Sequence, residues 1–132
     1  MRYPIFLAEK GLIRVCAVPD DLYVTSMRML AQQFYKGIQV IDGRGVEFMI
    51  EGYSSTRPKR KILYFLRLSL LVRADFVFKE TGERYDLRRF KEFVLKQIKL
   101  RPDFWDCGGV YEERAPEVLA AKSIQEIAAL IK

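Results

Sequence analysis

From Lys61 to Lys79 the chain alternates apolar and polar side chains. The even positions Ile62, Tyr64, Leu66, Leu68, Leu70, Val72, Ala74, Phe76 and Phe78 are all apolar, while Lys61, Arg67, Ser69, Arg73, Asp75 and Lys79 fall between them. Side chains on a strand point alternately to opposite faces, so this period predicts a β element with one face in a core. Extended, it would run about 60 Å at ~3.3 Å per residue, longer than a small domain is wide. The segment must therefore bend or break at a bulge, and the expected architecture is a strongly bent antiparallel sheet.

Around it the pattern predicts further elements. Ile5 to Ala8 and Leu12 to Val18 flank Glu9-Lys10-Gly11 as a first hairpin, and Pro19-Asp20-Asp21 ends the second strand. Met27, Leu30, Phe34 and Tyr35 recur at helical spacing after Thr25 or Ser26 and before Gly37, predicting about three helical turns. Ile38 to Ile41 and Val46 to Ile50 flank Asp42-Gly43-Arg44-Gly45, and Asp-Gly is a strong hairpin signal. Glu51 to Arg60, with Gly52, Ser54, Ser55 and Pro58, reads as a loop, and the long alternating run stops at Glu80-Thr81-Gly82-Glu83.

Asp86 caps a helix with its apolar stripe at Leu87, Phe90, Val94 and Ile98, closed by Pro102. Phe104 to Gly109 reads as a packed turn around Trp105, and Pro116 to Ala121 as a helical segment. Ser123 and Glu126 have capping-box spacing ahead of a terminal helix through Ile131. The expectation is one α+β domain over residues 1–132, with one helix before the central hairpin and C-terminal helices on one face. Leu63, Phe65, Leu71 and Val77 lie on the charged face of the long run, so that face should be covered by the terminal helices or a second subunit.

Composition narrows the chemistry. The 132 residues contain no histidine and two isolated cysteines, Cys16 and Cys107, so the usual zinc and copper ligand sets cannot be assembled and free thiols are expected. Asp20-Asp21 and Glu112-Glu113 are neighbours that point apart rather than dyads, and Asp42 to Gly45 lacks the spacing of a phosphate loop. No cofactor or catalytic motif is present. The Tyr3 to Ala8 run is too short for a secretory signal, and Arg67 and Arg73 interrupt the longest apolar stretch, so a cytoplasmic protein without a membrane span is expected.

The net charge of +6 is concentrated in residues 51–102, which hold fourteen Lys and Arg against six Asp and Glu. Arg57, Lys59, Arg60 and Lys61 form the densest cluster, and Arg67, Arg73, Arg88 and Arg89 extend it along the strand and the following helix. These eight are the candidate binding residues. Such a surface suits phosphates, with Tyr53, Tyr64 and Phe65 as stacking faces, or an acidic protein; it is equally what a solvated face carries.

Several short pieces resemble small bacterial proteins that serve as immunity partners in polymorphic-toxin systems. They are Leu22 to Ser26, Phe34-Tyr35-Lys36-Gly37, Ile41-Asp42-Gly43-Arg44-Gly45, Asp103-Phe104-Trp105, and Ala121-Lys122-Ser123-Ile124 with Ile127. The resemblance implies a non-enzymatic protein that occludes a protein partner encoded beside it; the basic charge argues against a nuclease as that partner. The helix ahead of a bent sheet is also similar in architecture to the Sm-like fold, a partial barrel that binds RNA as a ring. That likeness implies, as the alternative, an RNA- or DNA-binding module using residues 57–101, and a homo-oligomer.

Overall fold

The computed structural model describes residues 1–9, 11–58, 71–100 and 110–131. Strands β1 (Ile5–Glu9) and β2 (Leu12–Cys16) form the first hairpin; α1 (Pro19–Tyr23), β3 (Val24–Ser26) and α2 (Met27–Ala31) follow. Next come β4 (Gln39–Ile41), β5 (Val46–Pro58) and β6 (Leu71–Arg84), and then helices α3 (Leu87–Leu100), α4 (Val110–Ala120) and α5 (Ile124–Ile131). The six strands make one antiparallel sheet in the order β2-β1-β4-β5-β6-β3, strongly curled as a half-barrel. Among the described residues no helix is long and apolar enough to cross a membrane.

The sheet is buried on both sides at its middle. In β1, Ile5 and Leu7 face one core and Phe6 and Ala8 the other; in β4, Val40 and Ile41 divide in the same way. The first core lies inside the curl, where Val46, Phe48, Ile50, Val72, Ala74 and Phe76 meet Leu22, Leu30 and Tyr35 from the segment that links β2 to β4. Its aromatic rings cluster, with Phe34 edge-on to Phe76 at 6.1 Å and Tyr35 tilted against it at 5.9 Å between centroids. The second core lies under the helices. Phe90, Val94 and Ile98 from α3, Val118 from α4 and Ile127 from α5 cover Phe6, Ala8, Ile13 and Ile41, with Phe6 and Phe90 4.7 Å apart.

The described part of the alternating run behaves as its period requires. Val72, Ala74 and Phe76 are buried and Phe78 is half-buried, while Lys79 on the other face is exposed. Residues 61–70 lie outside the described residues, as do Cys107 and the turn at Phe104 to Gly109. The expected cover over Val77 is absent from the described chain, since Val77 is 42% exposed: the helices sit over β1, β2 and β4 instead. Leu63 and Phe65 are not described, and Leu71 is placed by its backbone alone.

Three expectations are corrected. The segment Glu51 to Pro58 is strand rather than loop, because pairing with β6 continues through register shifts at Ile50/Gly52 and Tyr53/Thr56 that absorb the poor strand formers. The partner strand correspondingly runs past Glu80 to Arg84, passing Gly82 at φ +89°. The helix after Ser26 is five residues rather than three turns: Gln33 takes a left-handed φ of +53° and Gly37 one of +83°, and Phe34 and Tyr35 turn into the core. Two elements went unread. Pro19 begins α1, whose Asp21 carboxylate accepts hydrogen bonds from the N–H groups of Ala17 and Val18, and Val24–Ser26 pairs with Leu71–Arg73.

The predicted Asp-Gly turn is present and does more than reverse the chain. The Asp42 side chain is fully buried, and its carboxylate accepts hydrogen bonds from the N–H groups of Arg2 (3.1 Å), Arg44 (2.9 Å) and Val46 (3.1 Å) and from the Arg44 guanidinium (3.0 Å). The turn backbone extends the network: Gly43 N–H donates to Arg2 O, Tyr85 N–H donates to Gly45 O, and Gln125 donates to Gly43 O. Gly45 must be glycine, since its φ is +82° and a Cβ would lie 1.9 Å from Tyr85 O. Burial alone pushes the Asp42 carboxyl up, but the hydrogen bonds from Arg2, Val46 and Arg44 outweigh it and hold the group below the usual carboxylate range.

The N-caps at Asp86 and Ser123 agree with the sequence, while the Glu126 carboxylate reaches back to Lys122 rather than to the Ser123 N–H of a reciprocal capping box. Arg89 N–H donates to Asp86 Oδ1 (2.7 Å), Glu126 N–H to Ser123 Oγ (3.1 Å), and Lys122 N–H to Glu126 Oε2 (2.7 Å).

Two predictions follow from this packing. In urea titrations, Phe76→Ala should lower the unfolding free energy by about 3–4 kcal/mol, and Val77→Thr should change it by less than ~0.5 kcal/mol. Asp42→Asn should cost about 2–4 kcal/mol near neutral pH. Because the folded carboxyl titrates below its unfolded value of about 3.9, its contribution is complete above that value and lost as pH falls through the folded one. The gap between wild type and Asp42→Asn should therefore be constant above about pH 5 and narrow below about pH 4.

Candidate functional site

At the β2 end of the sheet the described residues leave the inner core partly uncovered. A cleft of about 700 Å³ lies between the β1–β2 hairpin and the segment carrying Met29, Phe34 and Ile38. Its floor includes Leu7 and Leu12, and among the described residues its charged groups are Glu9 and Arg14. The register explains this composition. Leu7 stands opposite Arg14 and Glu9 opposite Leu12, and residues directly paired in a sheet share a face, so these four lie together on the inner side. Met29 forms part of the far wall and remains 42% exposed.

The hairpin beneath the cleft is tied down at both ends. Gly11 N–H donates to the buried Gln97 Oε1 of α3 (2.9 Å), and Arg14 Nη2 donates to Asp21 O of α1 (2.9 Å). The floor is thus held by a helix on the outer layer and by α1 on the inner one. A cavity of this size with mostly apolar walls and few polar groups has the character of a recognition site.

The basic residues singled out in the sequence are only partly brought together. Arg73 is paired with Asp20 at 2.7 Å and lies 5.2 Å from the Tyr23 ring centroid. Arg89 is paired with Glu83 at 2.8 Å, donates to Arg84 O and stacks over Tyr85 at 4.7 Å. Arg88 lies one helical turn from Glu92, at 3.5 Å. Arg57 is paired with Arg73 in the β5–β6 ladder and is placed by its backbone alone, whereas Lys59, Arg60, Lys61 and Arg67 lie outside the described residues. Arg73 and Arg89 therefore serve local ion pairs.

The groups with shifted titration move away from neutrality. Burial pushes the Cys16 thiol up to about 11, and Cys16 is a free, buried cysteine of the inner core. Burial and then the hydrogen bond to Glu47 push the Tyr85 hydroxyl up to about 12; Glu47 also accepts from Thr81. Burial raises Tyr3 as well. Among the described residues no cluster of His, Cys, Asp or Glu could hold a metal ion.

The sequence reading missed the cleft. Leu12-Ile13-Arg14-Val15 reads as an ordinary strand, and the only available signal was three apolar residues spread over both its faces; that this strand ends the sheet depends on the pairing of Phe6 with Ile41. Comparison with protein families, with curated proteins and with solved structures returns no match.

Proposed function

We propose that the chain is a non-enzymatic binding protein of the bacterial immunity type, recognising a protein partner through the cleft at the β2 end of the sheet. The observation that carries the reading is the open, apolar cleft of about 700 Å³, with its floor fixed to both layers of the fold. Apolar anchors seated in such pockets dominate protein recognition, while charged rims contribute mainly to orientation and rate. The scattered resemblance to immunity partners supplies the class of partner.

Co-expression with the product of the adjacent gene should give a complex that co-elutes in gel filtration and relieves that product's toxicity. Met29→Glu, which places a charge on the exposed wall, should raise Kd by about tenfold or more with the far-ultraviolet circular dichroism unchanged. Separate elution together with no rescue of growth would remove the basis for the proposal.

A further inference from the structure

We propose that the partner contributes an extended segment that adds to the sheet as a further strand along the outer edge of β2, a mode of binding that rests on the protein-binding reading above. The shape of the cleft carries the inference. Four consecutive residues of β2, Leu12, Ile13, Arg14 and Val15, line it. Neighbouring residues of a strand point to opposite faces, so a cleft touched by all four follows the edge of the strand as well as the inner face that carries Leu7 and Glu9. Leu12 and Arg14 reach it from the inner side, with Leu7 and Met29; Ile13 and Val15 reach it from the helix side, with Ile131.

That edge is where β2 has main-chain groups to offer. β2 stands at the end of the sheet and pairs only with β1 among the described strands, so every second N–H and C=O between Leu12 and Val15 points away from the sheet. A purely apolar occupant would bury these groups without partners, at a cost for each. An extended peptide instead pairs with them and places alternate side chains into the apolar walls on either side. The charge pattern specifies its chemistry: apolar residues alternating along the segment, with a carboxylate meeting the exposed Arg14 and set away from Glu9 of the neighbouring strand.

The test uses the full chain and random peptides displayed on phage, followed by amide hydrogen exchange with a synthetic peptide from the selected set. Selected peptides should alternate apolar positions around an acidic residue and slow exchange at amides within Leu12 to Val15. Arg14→Glu should weaken the acidic peptide about tenfold, and replacing its acidic residue by lysine should restore binding to that variant. The proposal is overturned if no peptide is selected, if the selected peptides protect amides elsewhere, or if they fill the cleft without protecting β2. An adjacent-gene product that binds while leaving the β2 amides unprotected would overturn strand addition and leave the protein-binding reading standing. Peptide protection of β2 without any encoded partner would do the reverse.

Discussion

The buried carboxylate of Asp42 is the point on which the separate parts of this fold converge. One side chain satisfies main-chain donors from the N-terminal residues, from its own turn and from the first residue of β5. Through the same four residues the turn also receives Tyr85, which leads from β6 into α3, and Gln125 of α5. A charge placed in a fully buried position is tolerable only where hydrogen bonds replace its water, and here that requirement draws together elements that are remote in sequence.

With the turn fixed, the division of the molecule into two cores follows. β1 and β4 are short strands with apolar residues on both faces, so each face must be covered by something other than the sheet. The helices α3 to α5 take the outer face, and the curl of β5 and β6 together with the segment from α1 to Tyr35 closes the inner one. Among the described residues, coverage is incomplete where the inner segment meets the end of the sheet. The cleft beside β2 is the result, and its position at a strand edge that has no partner among the described strands gives it both apolar walls and main-chain hydrogen-bonding groups.

What was legible in the sequence was what local chemistry determines. The two-residue period identified the inward face at Val72, Ala74 and Phe76, Asp-Gly marked the turn, and Asp86 and Ser123 marked helix starts, because each depends on residues within one or two turns of chain. The loop reading of Glu51 to Arg60 failed over its described part, up to Pro58, because Gly52, Ser54 and Ser55 are poor strand formers in a segment held by a partner strand about twenty residues away. The three-turn helix failed for a related reason: Phe34 and Tyr35 gain more from the aromatic cluster around Phe76 than from continuing the helix. The basic candidates were visible as charges, but the partners of Arg73 and Arg89, Asp20 and Glu83, lie in elements whose placement the sequence did not reveal. The cleft was hidden because an edge is a property of strand order, not of the strand.

Native-state hydrogen exchange at Arg44, Val46 and Tyr85 tests most directly whether the Asp42 turn unites the fold. If it does, these amides exchange only through global unfolding, with opening free energies equal to the stability found by denaturation and to those of core amides such as Val94. Exchange of the turn amides through a low-energy local opening, with Val94 still protected, would contradict the account.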